Sequence, residues 1–157
     1  MEIWPQAGRQ IWSELARFPG RVALVDGDRT SEVATRFADL RQTIPLHVGQ
    51  ALSVWASAPS ESQIQSRLRH SPVLVGTSIL FDPVLGLDPA KLFQALARQE
   101  PGRVIEWPVP TTSSLFRWPG DDAPRRVPLA LEDSLLLTSR STVFDDQVPF
   151  TLERLHR

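Results

Sequence analysis

The sequence predicts one α/β domain in which a mostly parallel β-sheet is flanked by helices. Short apolar runs alternate with segments of helical periodicity along the chain. The 157 residues suffice for one domain with one buried core, and 41% apolar with 22% charged residues is a globular composition. Strands that are separated by helices of this length pair in parallel, with helices on both faces of the sheet.

Each predicted element of the N-terminal half has a recognisable boundary or periodicity. The first helix places Ile11, Leu15 and Phe18 on one face, at i, i+4 and i+7. Ser60 and Gln63 have the spacing of a capping box at the start of a later helix. In order, the elements are a helix ending at Pro19-Gly20, a strand over 21–25, a helix capped by Thr30 or Ser31 with Val33, Phe37 and Leu40 inside, a possible strand over 44–48, and a helix carrying Ile64 and Leu68.

Proline marks the boundaries in the C-terminal half. Pro72 precedes the apolar strand 73–75, and Asp88 with Pro89 supplies an N-cap and a first helical residue. The other elements are an apolar run over 79–81, a helix over 89–99, a strand over 103–107, and short late strands over 115–118 and 135–137.

The chain is predicted to be one domain over residues 1–142, which includes an N-terminal helix within 1–20. Residues 143–157 are predicted to form a C-terminal extension that packs on the domain through Phe144, Phe150 and Leu152. No internal repeat or low-complexity stretch indicates a second domain.

Composition excludes several classes of function. A formal net charge of −1 gives no overall attraction to nucleic acid or to an anionic membrane. The absence of cysteine excludes disulfides, thiol catalysis and cysteine-based metal sites. Residues 1–5 lack the features of a signal peptide, and no apolar run approaches the roughly 20 residues that span a bilayer. We therefore expect a cytoplasmic protein that does not contact a membrane.

The turn after the first strand is the first place to look for a ligand, because parallel sheets bind ligands at the carboxyl ends of their strands. A phosphate-binding loop there would read G-x-x-x-x-G-K-[ST]. In this chain, Arg29-Thr30 stands where Lys-Thr is expected. The candidate nucleotide-binding residues are Gly27, Arg29, Thr30 and Ser31.

Two features of the same turn argue against a nucleotide. Only three residues separate Val25 from Arg29, too few for the usual phosphate cradle. Asp26 and Asp28 add negative charge where phosphate oxygens would lie, and each like-charge pair at about 4 Å costs on the order of 1 kcal/mol in water. We favour an ordinary turn between strand and helix over a degenerate nucleotide site.

A metal-binding acid of a P-loop enzyme ends a buried strand close to the phosphate loop. The strand 73–75 is followed by Gly76 and Thr77 rather than by an acid. Asp82 follows the apolar run 79–81 and is the candidate Mg²⁺ ligand. The alternative, which we prefer, is a turn aspartate before Pro83.

Residues 78–98 read S-I-L-F-D-P-V-L-G-L-D-P-A-K-L-F-Q-A-L-A-R. This stretch resembles the segment I-L-F-D-P-x-L-x-x-D-P-x-x-L-L-x-x-L-(S/A)-R of BrxF, a family of small P-loop proteins from BREX-type phage-exclusion systems. In that family a strand ending in tryptophan, a P-G-H-P-E-Y-R-R-Y stretch and a last strand follow. Here Trp107, the segment 118–127 and the segment 135–139 occur in the same order.

The resemblance implies a P-loop NTPase or RecA-like core, here without an intact P-loop. The short loop without lysine and the missing acid after residue 75 indicate a non-catalytic accessory subunit, a pseudo-ATPase without cofactor. Its expected partners are other protein subunits of a bacterial antiphage defence complex, with DNA reached through that complex and self-association left open. The alternative is a subunit that binds and hydrolyses ATP with Mg²⁺ through Arg29, Thr30 and Asp82.

A third hypothesis is a DNA-binding accessory module. Arg117, Arg125 and Arg126 lie near Trp118 in the sequence, a mixture typical of single-strand binders. Asp121-Asp122 dilutes this positive charge, which favours a solvated loop.

Two tryptophans of the N-terminal segment, Trp4 and Trp12, are candidate anchors for a partner protein. Aromatic side chains are enriched in the cores of interfaces. Packing within the domain explains Trp12 equally well.

Overall fold

A computed structural model describes residues 4–27, 29–139 and 150–156, which form one six-stranded sheet with helices on both faces. The predicted α/β class is therefore confirmed. The helices are α1 (Gln6–Arg17), α2 (Thr30–Leu40), α3 (Val48–Leu52), α4 (Glu61–Leu68) and α5 (Pro89–Gln99). The strands are β1 (Ala23–Asp26), β2 (Leu46–His47), β3 (Val73–Val75), β4 (Val104–Glu106), β5 (Leu135–Ser139) and β6 (Phe150–Arg154).

Strand β1 lies in the interior of the sheet, whose order is β2-β3-β4-β1-β5-β6. It pairs in parallel with β4, Val25 opposite Glu106, and with β5, Asp26 opposite Thr138. Strands β2, β3 and β4 continue the parallel arrangement, while β6 is antiparallel to β5. The carboxyl end of β1 therefore lies between the carboxyl ends of β4 and β5, two strands that come much later in the chain.

The two faces of the sheet carry separate apolar clusters. Val25 packs with α1 and α2 on one face, around Phe37. Leu24 packs on the other face with α4 and α5, where Phe93 and Trp107 are also buried. All four residues of β1 are buried, which explains why Ala23, Leu24 and Val25 form a continuous apolar run before Asp26 rather than an alternating pattern.

Two predicted helix starts are confirmed and one is wrong. Ser60 and Gln63 form the capping box that their spacing predicts, and Asp88 accepts a hydrogen bond from the Lys91 N–H at the start of α5. At α2, however, Arg29 occupies the N-cap position and no described side chain caps the helix.

Several late elements differ from their predictions. Residues 79–81 belong to the 3₁₀ helix Thr77–Phe81, because Gly76 adopts a left-handed conformation with φ of 60° at the end of β3. The segment 115–118 contributes only the isolated bridge between Phe116 and Arg125.

The C-terminal extension joins the sheet as β6, an element that sequence analysis did not identify as a strand. Phe150 is buried, as predicted, but Leu152 remains 53% exposed. Phe144 lies outside the described residues. Within the described part of the chain, none of the helices has the length and apolarity needed to cross a bilayer.

Candidate functional site

A cleft of about 270 Å³ lies where the connections after β1 and β4 separate to opposite faces of the sheet. Helix α2 follows β1 and packs on the face of Val25, whereas Trp107 follows β4 and packs on the face of Leu24. Open α/β sheets bind ligands in such a crevice, beyond the carboxyl ends of the strands. The cleft is lined by Gly27, Thr30, Ser78, Glu106, Trp107, Pro108, Val109 and Pro110.

The carboxylate of Glu106 joins the two sides of this cleft. Its Oε2 accepts a hydrogen bond from the Thr30 hydroxyl at 2.6 Å, at the first residue of α2. Its Oε1 accepts one from the Gly76 N–H at 2.9 Å, in the loop after β3. A negative charge is thus fixed beside the N-terminus of α2, the place where a P-loop protein holds phosphate.

The turn between β1 and α2 packs against Ser139, the last residue of β5. Gly27 has a φ of 106°, and a Cβ at this position would come within 3.0 Å of the Ser139 carbonyl oxygen. The Arg29 N–H donates to the Ser139 hydroxyl at 2.8 Å. The Arg29 guanidinium pairs with Glu32 at 2.9 Å, on its own helix. This backbone N–H and this cation are both engaged within the protein.

Two of the four predicted nucleotide-binding residues line the cleft, and the other two do not. Gly27 and Thr30 line the cleft, whereas Arg29 contacts Glu32, and the exposed Ser31 uses its carbonyl to accept from Thr35 within α2. Asp28 lies outside the described residues.

Asp26 has a different environment from the one expected of a residue facing phosphate. Its side chain is 1% exposed, and Oδ2 accepts from the Thr111 N–H at 2.7 Å. Oδ1 has no hydrogen-bond partner among the described residues. Burial raises the pKa of this carboxyl, an effect that the Thr111 N–H and the Thr138 hydroxyl partly offset and the negative charge of Glu153 increases.

The candidate metal ligand Asp82 is exposed and caps a turn. Its Oδ1 accepts from the Val84 N–H at 3.0 Å, at the start of the 3₁₀ helix Pro83–Leu85. Across the described ranges, no cluster of three or more His, Cys, Asp or Glu side chains forms a metal site. The cleft does bring together a hydroxyl and a carboxylate, those of Thr30 and Glu106, which is the type of pair through which P-loop proteins hold Mg²⁺.

The three candidate DNA-binding arginines are exposed and lie close together in the chain trace. Arg125 is paired with Asp121 and stacks on Trp118, 4.6 Å from the ring centre. Arg126 and Arg125 line a separate cleft of about 490 Å³ with His156. Arg117 contributes its carbonyl to the Trp107 indole N–H, and the DNA-binding role of the three side chains stays a prediction.

The two candidate partner anchors pack within the domain. Trp12 is 7% exposed, and its indole N–H donates to the Phe37 carbonyl oxygen at 3.1 Å. Trp4 is half-buried and meets the Phe37 ring edge-on at 5.2 Å. Both indoles help to hold α1 against α2.

Comparisons of the chain with protein-family models, with curated proteins and with solved structures found no match. The cleft is therefore interpreted from its own contacts. Glu106 is the central residue there, and sequence analysis missed it. The available signal was an acid at the carboxyl end of the predicted strand 103–107, but the pairing of that strand with β1 was not predicted.

Proposed function

We propose that this chain is a non-catalytic subunit with a P-loop-like core that acts by docking on other proteins of a bacterial antiphage defence complex. The observation that carries the proposal is the Glu106 carboxylate held at 2.6 Å from the Thr30 hydroxyl. The order strand, turn and helix in β1 and α2 supports a P-loop-like core, because a P-loop unit has this order of elements, although the glycine-rich sequence is missing here. The defence role rests on the resemblance of residues 78–98 to BrxF.

Electrostatics at the start of α2 oppose a triphosphate. A phosphate bonded to Thr30 would lie about 4 Å from the Glu106 carboxylate. Each pair of unit charges at that distance costs about 1 kcal/mol in water and about 4 kcal/mol at an effective dielectric constant of 20. The helix N-terminus offers only about 0.3–1 kcal/mol to an anion. Repulsion therefore exceeds attraction unless a cation intervenes.

The backbone donors of the turn before α2, as distinct from those of the uncapped first turn of the helix, support the same conclusion. A phosphate cradle uses successive N–H groups of a glycine-rich loop. Here the Arg29 N–H is bonded to Ser139, and Gly27 is packed against the end of β5. The cleft of about 270 Å³ offers little room for a nucleotide beside these contacts.

A second candidate function is a subunit that binds nucleotide with Mg²⁺, and the same Thr30–Glu106 pair is the observation that favours it. Magnesium in phosphate sites retains several waters and uses one or two carboxylates together with substrate phosphates. Glu106, which lies beside Thr30, would take the acid's role in place of Asp82, which caps its own turn. In this reading the ion would offset the carboxylate's repulsion of phosphate.

The substitution Glu106→Gln separates the two functions because they require opposite effects. For a docking subunit, we expect no Mg²⁺–ATP binding by the wild-type chain at millimolar nucleotide in titration calorimetry. Glu106→Gln removes the charge and leaves that result unchanged or increases phosphate binding. For a nucleotide-binding subunit, the wild type binds Mg²⁺–ATP at micromolar concentration, and Glu106→Gln and Thr30→Val abolish it. Glu132→Gln, an exposed acid outside the cleft, is the matched control.

The docking role is tested by co-purification of the tagged chain from its native host. We expect a defined set of partner proteins to be retained after ATP depletion and in the Glu106→Gln variant. Recovery of the chain alone under conditions where it is folded would refute a docking subunit.

A further inference from the structure

A shallow apolar groove lies on the β2 side of the molecule and adjoins the cleft at β1 and β4, since Ser78 lines the cleft and Ile79 lines the groove. It has a volume of about 400 Å³, within the usual range of binding pockets. Helix α3 and the following loop form one wall, and the 3₁₀ segments after β3 form the other. The principal apolar lining residues are Leu52, Trp55, Pro59, Ile79, Val84 and Leu85.

Aliphatic side chains in and beside this groove are largely exposed. Val84 is 71% exposed, and Val54, next to the lining residue Trp55, is 72% exposed. Trp55 is itself half-buried. A partly buried tryptophan beside exposed aliphatic side chains offers the apolar contacts that anchor protein interfaces.

The residues that line the groove carry no charge, and the charged residues nearest to them along the chain, Glu61, Asp82 and Asp88, are acids. Residues 42–66 contain no lysine or arginine, and Glu61 is their sole charged residue at neutral pH. Residues 70–90 likewise contain Asp82 and Asp88 but no lysine or arginine. Asp82 caps the 3₁₀ helix that carries Val84, so an acid borders the apolar wall directly. An occupant that matches this surface is apolar and carries positive charge beside its apolar side chains.

We infer that the groove binds an apolar segment of a partner protein that is flanked by lysine or arginine. Large aliphatic or aromatic side chains of the segment would contact Trp55 and Val84, and its basic residues would face Asp82. The inference deepens the proposed docking function and rests on it. It assigns the docking surface to the β2 side instead of to Trp4 and Trp12, which pack within the domain.

A random library of twelve-residue peptides, displayed on phage and selected on the full chain, tests this inference. We expect the selected peptides to combine two or more large apolar side chains with lysine or arginine. Synthetic versions should lose at least tenfold in affinity on Val84→Arg, measured by fluorescence anisotropy. Asp82→Asn, which keeps a capping side chain, should weaken binding several-fold and reduce its salt dependence. Leu152→Arg, an exposed leucine on β6 at the other edge of the sheet, should have no effect.

Several outcomes would overturn the inference. They are a failure to select any peptide, a selection dominated by acidic peptides, and equal binding to the wild type and Val84→Arg. A wild-type dimer that Val84→Arg dissociates in sedimentation would assign the groove to a second copy of the chain instead. Nucleotide binding that Glu106→Gln abolishes would refute the proposed function separately, since it leaves the peptide measurements unchanged.

Discussion

Replacing Asp26 by asparagine is expected to stabilise the protein at neutral pH. The wild-type carboxylate is 1% exposed, and its Oδ1 has no hydrogen-bond partner among the described residues. Asparagine retains an oxygen to accept from the Thr111 N–H and removes the negative charge that burial and the nearby Glu153 disfavour. The substitution therefore removes a buried charge while preserving the hydrogen bond that holds the loop over β1.

The expected size follows from the cost of the unsatisfied group. An unsatisfied buried group costs about 1–3 kcal/mol and more when it is charged, so we expect removal of the charge in Asp26→Asn to raise the free energy of unfolding by about 1–3 kcal/mol. For a chain of this length, each 1 kcal/mol raises the Tm by about 2–4 °C. Asp26→Ala is the informative comparison, because it removes the charge but also leaves the Thr111 N–H without its acceptor.

The pH dependence of the unfolding free energy tests separately whether Asp26→Asn stabilises the protein. Because burial raises the pKa of Asp26 in the folded state above its ordinary value of 3.8, the folded chain binds more protons than the unfolded chain between these two values. The unfolding free energy of the wild type therefore falls as pH rises through that window, and the loss is complete above the raised pKa. Asp26→Asn lacks this contribution, so its advantage should vanish at low pH and reach a plateau at neutral pH.

Urea unfolding followed by tryptophan fluorescence measures both quantities, and the chain contains five tryptophans. Other titrating groups are common to the two proteins and cancel in the difference. A variant that is less stable than the wild type by more than about 1 kcal/mol at pH 7 would refute the reasoning, given the cost cited for an unsatisfied buried atom. A stability difference that does not change between pH 3 and 7 would also contradict it.

Two further substitutions test contacts at opposite ends of the sheet, Arg103 before β4 and Gly27 after β1. Arg103 is 1% exposed, and its guanidinium donates to the carbonyl oxygens of Leu68, Arg69, Ser71 and Glu100. Arg103→Met is therefore expected to lower the free energy of unfolding by about 3–5 kcal/mol in urea titrations. A loss below about 1 kcal/mol would contradict this structural role. Gly27→Ala combines a positive φ with a Cβ that meets Ser139, and is expected to lower the Tm more than Gly120→Ala, where φ is 89° but no described atom lies within 4 Å of the new Cβ. Equal losses in calorimetry would show that backbone conformation alone decides the cost.

The sequence predicted those parts of the fold that depend on contacts between residues close together in the chain. The Ser60 capping box and the Asp88-Pro89 helix start depend on contacts within one turn, and both formed as predicted. The 3₁₀ conformation of residues 79–81 depends instead on the preceding Gly76. This residue is left-handed, and its N–H donates to Glu106, 30 residues away. A pattern read within a short window does not contain that contact.

The candidate site was only partly predictable for the same reason. Parallel order placed the turn after β1 at the ligand-binding edge, and Gly27 and Thr30 do line the cleft. The importance of Glu106 follows from the pairing of β1 with β4, which joins segments about 80 residues apart. The sequence points to the end of the strand 73–75 and to Asp82 for this acid. In the sheet, however, β4 rather than β3 pairs with β1, so the acid beside Thr30 is Glu106.

The interior position of β1 also has a consequence for synthesis. Both of its neighbours are made later, β4 at residues 104–106 and β5 at 135–139. At typical rates of 5–20 residues per second, the nascent chain waits about 4–16 s after β1 for its first partner and several seconds more for its second. During that interval the apolar residues 23–25 are without the strands that cover them in the native sheet. The native cover of β1 therefore forms only after residues 104–106 and 135–139 have been synthesised.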